Sequence, residues 1–413
     1  MCVYAAMITL ITFALCLTVE NETWPQWRGP PRDGQVHGNF FWPDKLSGDA
    51  LQEVWRVDLG GRRIIKKETP EKVFVTETLN KKTETVKALD RKTGKQLWVR
   101  EWEGSMTVPF FAKANGDWIR STPALDGDSL YVSGMRDVLV CLDANTGSER
   151  WRFDFMKETG SKLPDFGFVC SPLVVGDAVY VQAGGGFCKL DKATGKLLWR
   201  TLEDGGGMYG SAFSSPIYAK LLGQDVLVVQ TRTKLAAVQE SDGKVLWEQE
   251  VPAFRGMNIL TPSVFGNAIF TSSHSGGTFL YSIKEGHKGV DQTWKQRFDG
   301  YMSSPIIMDG YAYLHLKNQR FCCVELDTGK SMWTTPKTYG KYWSMVAQKD
   351  KILALDERGD LLLIQASPEK FNLLDTRKVT PHEAWAHLAV VGDELFVRDL
   401  QGLTVWKWKK PAN

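Results

Sequence analysis

Short runs in which apolar and polar residues alternate recur along most of the chain, as in Ser129-Leu130-Tyr131-Val132 and Ala178-Val179-Tyr180-Val181. A period of two turns one face of a run toward a core and predicts β-strands. Turn formers separate the runs: Gly127-Asp128, Gly176-Asp177 and Gly392-Asp393. Turn signals at intervals of roughly 8–12 residues predict antiparallel sheets.

These strands belong to a repeat. Six segments close alike: ALDRKTGKQLW (88–98), CLDANTGSERW (141–151), KLDKATGKLLW (189–199), AVQESDGKVLW (237–247), a degraded SIKEGHKGVDQTW (282–294) and CVELDTGKSMW (323–333). The Asp and Thr oxygens suit a tight turn whose glycine takes a positive φ, and a fourth strand carries the tryptophan. A second motif precedes each tryptophan: Thr122-Pro123, Ser171-Pro172, Ser215-Pro216, Thr261-Pro262 and Ser304-Pro305, with weaker copies at Trp343-Ser344 and Trp385-Ala386. The last copy lacks a fourth strand, and 53–58 (Glu-Val-Trp-Arg-Val-Asp) stands as an orphan one upstream. Placing that strand on the last sheet closes a ring and removes an exposed edge. The reading is all-β: an eight-bladed β-propeller, with 356 residues (53 to 408) giving 356/8 ≈ 45 per blade.

The pattern Ser-Pro … Gly-Asp … Leu-Asp-x-x-Thr-Gly-x-x-x-Trp resembles the PQQ-like (quinoprotein-like) repeat of bacterial periplasmic quinoproteins. That resemblance spans roughly residues 51 to 408, and Trp24-Pro25-Gln26-Trp27-Arg28-Gly29-Pro30 resembles the start of many secreted members. It implies that Trp55, Trp98, Trp151, Trp199, Trp247, Trp294 and Trp333 dock one blade on the next. It also implies one of two functional classes. One comprises quinone-dependent alcohol and sugar dehydrogenases, which hold PQQ with calcium. The other is non-catalytic, exemplified by the propeller lipoprotein of the outer-membrane β-barrel assembly machinery. Fold analogy does not choose between them.

Composition narrows the choice. Charges nearly cancel (51 basic, 48 acidic, net +3), which excludes a strongly basic nucleic-acid binder. Residues 1–19 carry no charged side chain and read as a signal peptide; 20–50 form an N-terminal segment, 51–408 the propeller and 409–413 a tail. A secreted or periplasmic monomer with no membrane span in the mature chain is expected; lipid attachment through Cys16 is the lesser expectation, because Leu15 is large for that signal. The remaining cysteines, Cys141, Cys170, Cys188, Cys322 and Cys323, are odd in number and lie in apolar runs, as buried thiols do. The adjacent pair Cys322-Cys323 reads as two side chains on opposite faces of a core strand rather than a cap for a cofactor. His382, Glu383 and His387 have the wrong spacing for a zinc helix, and no metal site is expected. Lys66, Lys67, Lys72, Lys81 and Lys82, matched by Glu68, Glu71, Glu77 and Glu84, read as an exposed hairpin.

The connections between blades carry the functional signal, being rich in aromatic, Met and Arg residues of the kind that dominate binding hot spots. The candidate binding face is Trp118, Arg120, Phe168, Tyr209, Phe213, Arg255, Met257, Tyr301, Tyr342, Trp343 and Trp385, with Trp102 as a further tryptophan outside the docking set. No catalytic residue is assigned. The first expectation is a non-catalytic, cofactor-free module that binds a protein or peptide partner in the cell envelope. The alternatives are a small PQQ-dependent dehydrogenase and a carbohydrate-binding propeller.

Overall fold

The computed structural model describes residues 23–38, 40, 42–59, 67–68, 71–109, 118–208, 210 and 212–409. The signal-peptide and Cys16 expectations fall outside them. Eight four-stranded antiparallel sheets form the blades of a β-propeller. Blade 1 is built from Lys67–Glu68, Lys72–Leu79, Thr83–Asp90 and Gln96–Glu103. Blades 2 to 7 follow in sequence, each running from a short inner strand to an outer one: Ala124–Asp126 to Glu149–Asp154, Leu173–Val175 to Leu197–Thr201, Ile217–Leu221 to Val245–Glu250, Ser263–Phe265 to Val290–Gln296, Ile306–Met308 to Ser331–Thr334, and Trp343–Gln348 to Asn372–Lys378. In blade 8 the outer strand is Leu51–Asp58, paired antiparallel with Gly402–Trp408 from Leu51 opposite Trp408 to Asp58 opposite Gly402. The first strand of the chain therefore closes the ring.

Five outer-strand tryptophans reach the glycine turn of the following blade. Nε1 of Trp55, Trp98, Trp151, Trp199 and Trp294 donates to the carbonyls of Arg91, Ala144, Lys192, Glu240 and Leu326 at 2.6–3.3 Å. The turn glycine lies under the ring: a Cβ on Gly147 would stand 2.6 Å from Trp98 Cε3. Trp333 instead finds the Ser367 carbonyl, at 2.9 Å. Trp247 faces the degraded copy, where that turn is missing, and its Nε1 has no acceptor among the described residues.

The Ser/Thr-Pro motif builds a second connection between blades. The amide of Thr122 donates to Ser171 Oγ, that of Ser171 to Ser215 Oγ and that of Thr261 to Ser304 Oγ, each at 2.9 Å. The Trp343 amide donates to Ser303 Oγ at 3.0 Å, and that of Leu388 to Ser344 Oγ. These hydroxyls satisfy inner-strand amides that have no sheet partner at the channel wall.

Cys322 and Cys323 are free and buried, and they fall into different inter-blade cores on the two faces of Phe321–Glu325. The exposed hairpin expected of blade 1 is corrected in part. Glu77 and Glu84 are fully buried: Glu77 pairs with Lys87 at 2.5 Å, and Glu84 accepts Trp102 Nε1 and the Met135 amide, each at 2.6 Å. Glu84 lies against Gly104 and Gly134, so this part of the blade is enclosed by chain rather than solvent.

Residues 24–38 pass across the channel as a strap. The Leu125 amide donates to the Pro25 carbonyl, Arg32 donates to the carbonyls of Ser171, Pro172 and Pro216, and Arg28 donates to that of Pro305. On blade 7 the Val36 amide donates to the Ala347 carbonyl, and the Ala347 amide donates to that of Gly34. Both guanidiniums are buried, and both answer carbonyls that the inner strands leave without a sheet partner.

Candidate docking funnel

The chain passes from each outer strand to the next inner strand over one face of the ring. On that face the channel opens into a cavity of about 520 Å³. Seven blade connections supply its wall, while the strap supplies Trp27. Trp27 Nε1 donates 2.8 Å to Thr261 Oγ1, and its ring meets His387 edge-on at 4.8 Å.

Eight residues of the candidate face line this cavity: Trp118, Arg120, Phe213, Arg255, Met257, Tyr301, Tyr342 and Trp385. Tyr209 lies outside the described residues. Two candidates are corrected. Phe168 is buried in the core between blades 2 and 3, against Phe155. Trp343 begins the inner strand of blade 7 and is packed by His315, Phe321 and Tyr339. Trp102 is also buried, held by Glu84. Aromatic character marked all three, but depth depends on neighbours that lie far away in sequence.

Arg232, on the blade 4 hairpin, organises one side of the wall. Its guanidinium donates to the carbonyls of Met208, Arg255 and Gly256 at 2.6–3.0 Å and lies 4.5 Å from the Phe213 ring centroid. The turn Phe254–Gly256 is thereby fixed, with Arg255 at φ 51, a conformation costly for a side-chain-bearing residue. The result is Phe254 held 51% exposed at the rim. Its ring lies 5.2 Å from His274, which lies 4.8 Å from Tyr301. Further round the wall, Tyr342 and Trp385 stack at 6.0 Å and 16°. Trp27 and Arg232 are not among the candidates, because no local pattern marks a side chain brought to the channel by a strap or a hairpin. His387, weighed only as a metal ligand, lines the wall from the connection between blades 7 and 8.

The electrostatics favour binding over proton transfer. Burial, with the Arg28 guanidinium nearby, holds the His387 imidazole down at about 3. Burial also pushes the Tyr342 and Tyr301 phenols up. Arg120, Arg232 and Arg255 bring positive charge to the wall, and no carboxylate lines it among the described residues. Such a cup stacks on flat groups, covers apolar ones and donates hydrogen bonds to anions.

Residues 82–335 match the model of a family described as outer membrane protein assembly factor BamB. This chain belongs to that family. BamB of Yersinia pestis is 23% identical, over 66% of this chain and 71% of its own length. BamB of Moranella endobia is also 23% identical, over 59% of this chain and 64% of its own, just under two thirds. Among solved structures, BamB from Moraxella catarrhalis superimposes with a TM-score of 0.63 at 14% identity, covering 88% of this chain and 99% of that one. A quinohemoprotein alcohol dehydrogenase from Comamonas testosteroni gives 0.66 at 14% identity, covering 95% and 82%. At such identities the structures speak for the fold alone.

The resemblance of the repeat to that of quinoproteins makes a quinone with calcium the cofactor to test. Calcium takes several oxygen ligands, carboxylates foremost. The funnel offers arginines in place of carboxylates, and no cluster of three acidic, His or Cys side chains suited to a metal occurs among the described residues. Cys322 and Cys323 lie in inter-blade cores rather than in its wall. The described residues of the funnel do not fit that group.

Proposed function

We propose that this protein is a non-catalytic docking propeller of the cell envelope, which holds a protein partner during outer-membrane protein assembly. The observation that carries the reading is the funnel. Seven connections converge on one cavity with aromatic, Met and Arg side chains, the residue types of interface hot spots. Membership of the BamB family supports the assembly role. The apolar 1–19 segment supports work in the periplasm. Among the described residues no helix is long and apolar enough to cross a membrane.

The test is direct binding of the purified chain to the detergent-solubilised outer-membrane protein assembly complex, measured by interferometry. The wild type is expected to bind, and Met257→Ser with Trp385→Ser to lose that binding while the circular dichroism spectrum stays unchanged. No binding by the wild type, or equal binding by the variant, overturns the proposal.

A further inference from the structure

Charge is unevenly distributed around the funnel face. In the connections and hairpins at 297–302, 316–320 and 334–342, blades 5 to 7 present Arg297, Lys317, Arg320, Lys337 and Lys341. All but Arg320 are exposed. Their nearest polar or ring partners are neutral where they have them: Lys317 Nζ meets Ser275 Oγ at 3.0 Å, Arg320 donates to the Thr335 carbonyl at 2.9 Å, and Lys337 lies 5.5 Å from the Tyr339 ring centroid. The carboxylates beside them are withdrawn from solvent. Asp299 is half-buried and accepts the Gly277 amide at 2.9 Å. On the blade 7 hairpin, Asp356 is buried and pairs with Arg358 at 2.9 Å, while Glu357 is buried and accepts the Tyr342 amide at 3.2 Å. Across the mouth, blades 2 and 3 present Asp154, Glu158, Asp165, Glu203 and Asp204 together with Arg136, Lys157, Lys162 and Arg200. Lys157 meets Glu158 at 4.0 Å and Arg200 meets Glu203 at 3.3 Å, so no single sign prevails there.

We infer that the basic arc of blades 5 to 7 seats an acidic stretch of the polypeptide that docks at the funnel, fixing the partner in one orientation across the face. The inference rests on the docking reading above. The cavity is ringed by similar aromatic groups from seven connections, so apolar burial alone discriminates poorly between rotations of an inserted loop. Charge breaks that near-symmetry. With a Debye length of about 8 Å in physiological salt, the field of these exposed cations acts on a chain segment close to the face. A field of this kind steers encounter and sets register more than it adds affinity. The mixed charge of the far side also bears on the class of partner: an anionic bilayer presents one sign everywhere, whereas a polypeptide can set an acidic stretch on the arc and place basic or neutral residues elsewhere.

The test uses the full chain and three fluorescein-labelled peptides, in which glycine alternates with Glu, Gln or Lys, read by anisotropy at low and physiological salt. The Glu peptide is expected to bind best and to weaken as salt rises. The variant carrying Arg297→Gln, Lys317→Gln, Lys337→Gln and Lys341→Gln is expected to bind it about tenfold more weakly. Lys92→Gln with Lys196→Gln and Lys244→Gln, on the turns of the opposite face, is expected to change nothing. No partner protein is present in this assay, so its failure is distinct from failure of the docking reading, which the interferometry above tests. Equal binding of the three peptides, or an equal loss in the opposite-face variant, overturns the inference. So does sedimentation of the chain with phosphatidylglycerol vesicles when the Glu peptide fails to bind.

Discussion

The indole of Trp294 lies flat over Gly329: a Cβ on the glycine would stand 2.5 Å from Trp294 Cδ2, and Nε1 donates 2.6 Å to the Leu326 carbonyl next to that turn. One pair of residues thus joins blade 5 to blade 6 by a close apolar contact and a hydrogen bond. Gly329 needs both its positive φ of 73° and its missing side chain. Gly329→Ala is expected to lower unfolding free energy by about 3 kcal/mol, since backbone strain and steric overlap act together. Gly127→Ala isolates the first term, because Gly127 has φ 54° but a Cβ there would meet nothing within 4 Å. It is expected to cost about 1 kcal/mol. Urea midpoints of the two variants measure the difference, and equal shifts would remove the docking contact from the account.

Arg32 lies buried in the strap and donates to the carbonyls of Ser171, Pro172 and Pro216, which belong to two blades. Removing the guanidinium leaves those acceptors dry and unpaired. Arg32→Leu is expected to lower stability by about 2–4 kcal/mol. Arg32→Lys is expected to recover little of it, because a lysine cannot reproduce the planar fork. Recovery of the wild-type urea midpoint by lysine would show that charge alone suffices.

The blades were legible because their construction is local. An Asp-x-x-Thr-Gly turn and a tryptophan on the strand after it recur together, and each copy dictates the same sheet. The degraded segment 282–294 kept its tryptophan and its sheet but lost the turn, and Trp247 lost its acceptor with it. The identity of the connections carried the candidate face equally far, bringing Phe213, Met257 and Trp385 to one cavity. Depth was not legible. Phe168 and Trp343 share the chemistry of the residues that line the funnel, yet each is covered by an adjacent blade distant in sequence. The strap was opaque for a related reason: Trp27 and Arg32 act through partners more than a hundred residues away.

Two carboxylates inside the ring make stability depend on pH. Burial pushes Glu84 and Asp137 up to about 7 each, against the partial help of the Met135 and Gly184 amides. The folded chain therefore binds their protons more tightly than the unfolded chain does. Their contribution is fully present below about pH 4, the range of unperturbed carboxylates, and is lost as pH rises through about 7. The double variant Glu84→Gln with Asp137→Asn removes this term. Relative to it, the wild type is expected to lose stability between pH 5 and pH 8, read as the difference in urea midpoints. A pH-independent difference would contradict the assignment.

Phe254 and Phe168 separate binding from packing within one residue type. Phe254 is 51% exposed at the funnel rim, where Arg232 fixes its turn through the Arg255 and Gly256 carbonyls. Its truncation removes little buried surface from the free protein, so Phe254→Ala is expected to leave the thermal midpoint within a degree or so, as surface changes do. A partner that covers it loses an aromatic anchor already held in place, and binding is expected to weaken about tenfold or more. Phe168 is only 1% exposed and fills the core between blades 2 and 3. Phe168→Ala is expected to cost about 3–5 kcal/mol of stability through the cavity it leaves. At temperatures where that variant remains folded, its partner affinity is expected to stay near wild type, because its side chain never reaches the surface. Calorimetry and interferometry on both variants give the four numbers. If Phe254→Ala binds as the wild type does, the rim is not the docking edge, whatever the cavity beneath it holds.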